Sequence, residues 1–183
     1  MSIRKVIRMG HPTLKKVADQ LTKEEILSAE TKELIQDLYD TMKFEGGLGI
    51  AAPQIDVSKQ VALIEIPSDS KRYGELQASP LMVIINPQII YLTEETQGFY
   101  EGCLSVPGLR GYVERPKKIK VTYLDEKALQ HEVEVNDFLA TVFQHELDHL
   151  FGKLYTDRMQ DLSTLTFTEE FDQFHKKENK EVD

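Results

Sequence analysis

The chain has 183 residues, 40% hydrophobic and 29% charged, which is an ordinary composition for a globular protein. Acidic residues outnumber basic ones by 31 to 22, and the net charge of −9 argues against direct binding of nucleic acid or of an anionic membrane. The single cysteine, Cys103, excludes an intrachain disulfide, and no apolar run approaches the ~18 residues of a membrane span, so we expect a cytoplasmic protein.

The length predicts one domain that covers residues 1–183. Residues 1–16 are basic, but they lack the serine content of a transit peptide, and Pro12 suits the first position of a short helix. We therefore interpret this segment as part of the folded domain. The tail, residues 160–183, fits a strand as well as a helix, and its structure is left open.

The first long helix is predicted over residues 24–44. Thr22 and Glu25 have the spacing of a capping box, and apolar residues then recur at helical spacing. A break is expected near Ser28–Glu30, and the glycine pair Gly46–Gly47 ends the helix.

The middle of the chain is rich in short β-prone runs separated by turn residues, which predicts antiparallel sheets. The polar segment Pro67–Pro80 is expected to form an irregular loop beside a site. The predicted strands are Val61–Ile66, Leu81–Ile85, Ile89–Leu92, Gly98–Tyr100, Tyr112–Glu114, Ile119–Leu124 and Glu132–Val135.

A second helix is predicted over Phe138–Leu150, with Asn136 or Asp137 as its cap and Gly152 as its stop. Its first half is apolar nearly all round, which is typical of a buried helix. The predicted fold class is therefore α+β, with short antiparallel sheets packed around a central buried helix.

That helix carries an H-E-x-x-H motif. His145 and His149 are four residues apart, so both imidazoles lie on one face and can bind one divalent metal, while Glu146 can reach a water on it. Two histidines satisfied within a core are the structural alternative, but burying so many polar groups is costly without a metal. Either Gln144 or Asp148 is expected to accept the second N–H of a ligand histidine.

The third metal ligand is ambiguous on spacing alone, although catalytic sites of this kind use three protein ligands. In one class of metalloproteases a further histidine follows, but that position is Tyr155 here. A second class uses a glutamate about twenty residues on, where Glu169 and Glu170 lie. The third candidate is Cys103, which follows a glycine and whose thiolate suits Zn²⁺ or Fe²⁺.

A glycine-rich stretch, residues 46–54, is a weak candidate for a phosphate loop because it lacks the Gly-Lys-Ser/Thr sequence. A helix stop followed by a tight loop would explain its two leading glycines. The functional interpretation is that its small residues let a substrate backbone lie close, with Gln54 supplying an amide N–H.

Three stretches together resemble peptide deformylases. The family pattern G-x-G-x-A-A-x-Q matches residues 47–54, E-G-C-x-S matches residues 101–105, and Q-H-E-x-D-H matches residues 144–149, in the family's order. Met9–Pro12 also looks like the family's N-terminal signature, and the likeness spans residues 3–159. The resemblance favours Cys103 as the third ligand.

The resemblance implies removal of the N-formyl group from the N-terminal formylmethionine of newly synthesised polypeptides. Water activated by the metal would attack the formyl carbon, with Glu146 as the general base. Fe²⁺ is the metal expected in the cell, with Zn²⁺ or Ni²⁺ as substitutes. Family likeness also implies that the Gln54 amide, the Leu104 backbone N–H and the metal stabilise the oxyanion.

For the substrate, Phe138 and Val142 are candidates for an apolar methionine slot because they share a helix face with the two histidines, although plain core packing is the alternative. The peptide backbone is expected to add as a strand against Leu48–Gly49 and near Gly102. Arg110 would either anchor the substrate or pair with Glu101.

The resemblance also raises a transient ribosome contact, since some members have a basic helical tail thought to touch the ribosome. Here residues 176–183 are mixed in charge, which weakens that analogy. Three other functions are alternatives to deformylation. They are an endopeptidase with Glu169 or Glu170 as third ligand, an amidase with Cys103 as nucleophile, and a metal-binding module without catalysis.

Overall fold

The computed structural model describes residues 2–66, 79–176 and 181–182, so most of the predicted loop Pro67–Pro80 lies outside the described residues. Four α-helices and nine strands are present in the described part of the chain. The helices are α1 (Lys23–Ile26), α2 (Ala29–Glu45), α3 (Asp137–Leu150) and α4 (Thr168–Phe174). The strands are β1 (Gly49–Ala51), β2 (Val61–Ile66), β3 (Ser79–Tyr91), β4 (Thr96–Cys103), β5 (Val106–Pro116), β6 (Lys118–Leu124), β7 (Gln130–Asn136), β8 (Thr166–Phe167) and β9 (Glu181–Val182).

The strands form two sheets. The larger sheet has the order β1-β2-β3-β6-β7, and every neighbouring pair in it is antiparallel. The smaller has the order β8-β5-β4-β9, in which only the β4–β9 pair is parallel. The prediction of a mixed helix and strand fold with antiparallel sheets is therefore confirmed.

One prediction within the larger sheet was wrong. Residues 81–85 and 89–92 were expected to form separate strands, but residues 81–91 all belong to the continuous strand β3, whose register shifts between Ile85 and Gln88. Asn86 has a φ of 51° and its side-chain amide donates to the Leu21 carbonyl. Asparagine tolerates this left-handed conformation and the following proline donates no ladder hydrogen bond, so the pair bends the strand instead of ending it.

The first helical region agrees with its sequence pattern. Thr22 and Glu25 form the reciprocal hydrogen bonds of a capping box at the start of α1. Ser28 then accepts the Thr31 N–H and caps α2, so the expected break is present. Gly46 ends α2 with a φ of 72°, a conformation that glycine adopts without strain. The short helix predicted at Pro12 is a 3₁₀ turn over Pro12–Lys15.

The helix α3 is buried along nearly its whole length. Twelve of its fourteen residues are buried, and it contacts β1 and β2 of the larger sheet and β5 of the smaller one. Its apolar side, including Phe143, Leu147 and Leu150, belongs to the main hydrophobic core. The polar residues in the second half of α3 therefore also lie inside the molecule, and the candidate site is formed around them.

The tail left open by the sequence uses both structures in turn. Strand β8 pairs with β5, and α4 follows it at once. Phe171 of α4 is fully buried and its ring lies 4.8 Å from the ring of Tyr100. Within the described residues, no helix combines the length and the apolar character needed to cross a membrane.

Candidate metal centre

Three potential metal ligands converge between α3 and the end of β4. His145 and His149 lie one turn apart, with ring centroids separated by 5.1 Å. Cys103 is the last residue of β4, and its Sγ lies 3.5 Å from His149 Nε2. The donor atoms of all three residues lie within 4.8 Å of one another, which is the spacing that a single ion can bridge.

The electrostatics of this group favour a thiolate. Burial by itself would raise the pKa of the Cys103 thiol, but the neighbouring His149 and His145 outweigh it and lower the pKa to about 5. One thiolate and two imidazoles form a donor set that suits Zn²⁺ and Fe²⁺. The residues present therefore fit a divalent metal of this kind.

The rival third ligands lie elsewhere. Glu169 and Glu170 are exposed on α4, and no metal-binding group among the described residues includes them. Tyr155 takes the place of the extra histidine of the longer motif, and its buried ring stacks 6.3 Å from the ring of His145. The geometry thus separates Cys103 from the other candidates that spacing had left open.

The partner of His145 is a residue that the sequence analysis had not assigned to it. His145 Nδ1 lies 2.8 Å from an Oε2 atom of Glu101, whereas Gln144 or Asp148 was expected to serve. The Gln144 amide instead donates to two backbone carbonyls. A carboxylate that accepts the outer N–H of a ligand histidine fixes its ring orientation. The position of Glu101, two residues before Cys103 in one motif, was the signal that could have revealed it.

Arg115, and not Arg110, pairs with Glu101. Its Nε and Nη2 donate to both Glu101 oxygens at 2.6 and 2.9 Å, and its Nη1 donates to Asp148 at 2.8 Å. Burial alone would raise the pKa of Glu101, but Arg115 lowers it to about 2. Arg158 then reaches Asp148 from the half-exposed side, at 2.6 and 3.0 Å. Two arginines and two carboxylates thus form one network, which braces His145 through Glu101.

Arg110 has different surroundings from those expected. Its side chain is 3% exposed, and its guanidinium carbon lies 5.5 Å from the centroid of the Phe171 ring, a cation–π distance. It also lines the cleft described below. The predicted pairing of Arg110 with Glu101 is therefore wrong, because Glu101 pairs with Arg115. The other interpretation, that Arg110 anchors the substrate, stays a prediction.

Glu146 lies on the open side of the centre. It is buried, its Oε2 has no hydrogen-bond partner among the described residues, and desolvation raises its pKa. Gly49 of β1 gives it room, because a Cβ built there would lie 2.5 Å from both Cγ and Cδ of Glu146. The carboxylate is thus held next to the ligand group with one oxygen free to bind water.

Gln54 faces the same space from a 3₁₀ turn over Ala52–Ile55. Its Oε1 accepts the Ala51 N–H at 2.8 Å, which fixes the amide orientation. Its Nε2 then lies 3.6 Å from Cys103 Sγ and 3.4 Å from Ser105 Oγ. An amide N–H donor therefore faces the metal centre.

A cleft of about 260 Å³ opens onto this centre. Among the residues predicted to bind substrate, Gly49, Gly102 and Arg110 line it, as does the predicted oxyanion donor Leu104. Residues that line it but were not anticipated are Glu45, Val106, Pro107, Gly108, Leu109 and Thr168.

Three other predicted substrate contacts are not part of this cleft wall. Leu48, Phe138 and Val142 are 5%, 7% and 1% exposed and belong to the main hydrophobic core. In this structure Phe138 packs edge-on against Phe99, with ring centroids 5.6 Å apart. Core packing, the alternative weighed for Phe138 and Val142, is what the structure shows, and a methionine slot there stays a prediction.

The fold and the site define a class of protein. A buried helix that presents H-E-x-x-H beside a cysteine, with a carboxylate behind the first histidine, is the arrangement of a metal-dependent hydrolase. The sequence model of the polypeptide deformylase family matches residues 3–164. The chain therefore belongs to the peptide deformylase family, enzymes that act on N-terminal formylmethionine.

Individual relatives agree with the family assignment. A peptide deformylase of Leptospira biflexa is 41% identical over 172 residues, which cover 94% of this chain and 96% of that protein. A Met-Ala-Ser-bound class I type b peptide deformylase from Acinetobacter baumannii superposes with a TM-score of 0.82 at 36% identity, covering 87% of this chain and all of that one. An actinonin complex of the Synechococcus elongatus enzyme gives a TM-score of 0.76 at 30% identity, with 92% and 84% covered.

The buried Arg115 and the half-exposed Arg158 are expected to contribute differently to the free energy of unfolding. Arg115→Met should lower the free energy of unfolding by about 3–5 kcal/mol, because it leaves Glu101 buried without a cation. Arg158→Met should cost about 1 kcal/mol or less, since Asp148 keeps Arg115 and the lost pair is half-exposed. Urea unfolding of both variants measures the difference, and equal losses would contradict the bracing role of Arg115.

Proposed function

We propose that the chain, as one catalytic domain, removes the formyl group from the N-terminal formylmethionine of new polypeptides, with Cys103, His145 and His149 holding one divalent metal. The observation that carries this proposal is the convergence of three ligand atoms within 4.8 Å beside the free carboxylate oxygen of Glu146. Fe²⁺ is the proposed metal, and Zn²⁺ or Ni²⁺ would suit the same ligands. When bound, the metal supplies a Lewis acid that brings the pKa of water to about 7 and polarises a carbonyl.

Glu146 is proposed to move the proton. It accepts a proton from water as the oxygen forms a bond to the formyl carbon, and the carbonyl electron pair moves onto the formyl oxygen. When the tetrahedral species collapses, the C–N bond breaks and Glu146 returns the proton to the leaving amine. The products are a free α-amine and formic acid, which loses its proton to the solvent and leaves as formate. The raised pKa of Glu146 supports this role because a general base works best when its pKa approaches the operating pH.

Gln54 and Leu104 are proposed to stabilise the oxyanion. The Gln54 Nε2 points at the centre because its Oε1 is fixed by the Ala51 N–H. Leu104 follows Cys103 in the turn between β4 and β5 and lines the cleft, which supports its backbone N–H as the second proposed donor. Preorganised donors of this kind act without reorientation during the reaction.

The peptide backbone is proposed to bind as an added strand. β1 is an edge strand of the larger sheet, so its outer edge at Gly49 is proposed to pair with the peptide, and Gly102 also lines the cleft. The Acinetobacter structure with Met-Ala-Ser supports a peptide ligand for this fold. Phe138 and Val142 remain the proposed methionine slot, and Arg110 the proposed substrate anchor.

The reaction itself is tested by formate release from formyl-Met-Ala-Ser, using protein loaded with Fe²⁺ without oxygen. Wild type should release formate in a chelator-sensitive way. Cys103→Ala should lose the metal together with activity, whereas Glu146→Gln should keep the metal and lose about 10²–10⁴-fold in kcat, the usual contribution of a general base. Metal content is measured beside activity in each variant.

Two results would count against this proposal. Cleavage of internal peptide bonds that survives Cys103→Ala would favour the endopeptidase alternative, and activity that persists in chelator would favour a cysteine nucleophile. Folded, metal-loaded wild type that releases no formate would contradict the proposed substrate.

The close approach of β1 to Glu146 gives a second prediction. Gly49→Ala places a methyl group where the Glu146 side chain lies, so the base must move and kcat should fall by at least about 10²-fold with metal content kept. Gly47→Ala is the matched control, because its Cβ would approach Gly49 O at 3.1 Å and Leu104 Cδ1 at 3.3 Å without touching Glu146. Steady-state kinetics should therefore show a much smaller kcat loss for Gly47→Ala.

The amide donor of Gln54 gives a third prediction. Gln54→Glu keeps an oxygen to accept the Ala51 N–H but removes the N–H donor, so the fold should persist while kcat falls by about 10²–10³-fold. Thermal unfolding and metal content provide the controls. A Gln54→Glu variant with near-normal kcat would show that this side chain does not stabilise the oxyanion.

A further inference from the structure

The catalytic cleft does not end at the metal centre. A second groove adjoins it, and the two share Glu45, Leu104 and Pro107 as lining residues. The far wall of this exit groove is the N-terminal segment, with Lys5–Arg8 and Gly10–Pro12 among its lining residues. A polypeptide that leaves the cleft past Leu104 therefore enters the exit groove directly.

The wall of the exit groove is tied to the catalytic residues. The Ile7 N–H donates to the Gln54 carbonyl at 2.8 Å, and the Met9 N–H donates to the Ser105 carbonyl at 2.7 Å. The segment thus lies against the backbone of Gln54 and of the residue after Leu104. These main-chain hydrogen bonds fix the position of the N-terminal segment relative to the reacting centre. The basic side chains of this segment therefore lie at a fixed distance from that centre.

The charge of the exit groove is opposite to that of the protein. Lys5 and Arg8 are exposed, and none of the ion pairs formed among the described residues involves either of them. Glu45 is the acidic residue on the shared rim. The chain as a whole has a net charge of −9 and therefore repels acidic peptides. The local excess of positive charge in the exit groove attracts acidic side chains at this place only.

We propose that the exit groove binds the fourth and following residues of the formylated polypeptide and that Lys5 and Arg8 make it prefer acidic side chains there. This inference rests on the proposed deformylase function and deepens it. The Met-Ala-Ser ligand of the Acinetobacter structure contains three residues, so a longer substrate needs a surface beyond those three. The apolar contacts of Leu104 and Pro107 lie at the junction, and the cations lie beyond it.

The test compares formyl-Met-Ala-Ser with two six-residue peptides that continue as Asp-Asp-Asp or Lys-Lys-Lys. Each kcat/KM is divided by that of the tripeptide, so the catalytic step cancels. In wild type at low ionic strength the kcat/KM ratio of the acidic peptide should exceed that of the basic one by about 3–10-fold, the range that two exposed ion pairs provide. The preference should shrink in 0.5 M salt because exposed charges are screened.

The double variant Lys5→Glu/Arg8→Glu should reverse this preference. Lys127→Glu is the matched control, since Lys127 is exposed in the hairpin between β6 and β7 and lines neither the cleft nor the exit groove. That control should keep the wild-type preference. Thermal unfolding of each variant shows whether the fold is intact.

A photocrosslinking residue at position five of the acidic peptide maps the path independently. Crosslinks should fall on residues 5–12, whereas crosslinks confined to the separate groove lined by Leu21, Leu34 and Val57 would overturn the proposal. Equal use of the two long peptides by wild type, or an equal shift in Lys127→Glu, would also overturn it. Failure to cleave even the tripeptide would instead contradict the proposed function, so the two failures are distinguishable.

Discussion

The structure depends on one constraint: the polar second half of α3 is buried. A buried polar group costs free energy unless it is hydrogen-bonded, so each side chain there needs a partner supplied by another element. His145 receives Glu101 from β4, and Asp148 receives Arg115 from β5 and Arg158 from beyond the helix. The charged groups of the β4–β5 hairpin therefore help to hold it against α3, together with its apolar contacts.

The two sides of α3 have different roles, one structural and one chemical. His145 and Asp148 are paired with Glu101 and Arg115 of the smaller sheet. The Glu146 side chain instead lies against Gly49 of β1, and its Oε2 atom has no partner among the described residues. That direction is open because β1 passes the helix at a glycine, Gly49. A side chain at this position would fill the space in which the carboxylate lies. Close backbone approach on one side and ion pairing on the other together hold Glu146 at the cleft.

The sequence predicted those parts of the site that lie close together along the chain. H-E-x-x-H is contiguous, so helical periodicity alone placed His145 and His149 on one face. The partnership of Glu101 with Arg115 depends on the register of β4 against β5, which one sequence does not reveal. The prediction of two separate strands around Asn86 was wrong for a related reason, since turn residues also suit a bend inside one continuous strand. Local patterns fix elements, while pairings between elements come only from the assembled fold.

The balance of buried charge gives a second argument for a divalent ion, beside the convergence of the three ligand atoms. Behind the centre, the carboxylates of Glu101 and Asp148 are matched by the guanidinium groups of Arg115 and Arg158. In front, the Cys103 thiolate lies beside the Glu146 carboxyl group, and no lysine or arginine among the described residues pairs with either of them, so a divalent cation would offset the negative charge there. The raised pKa of His145 has the same origin, because the hydrogen bonds that its ring donates to Cys103 and Glu101 overcome the effect of burial. The anions around His145 therefore favour positive charge at this place, which is the environment that a bound divalent cation requires.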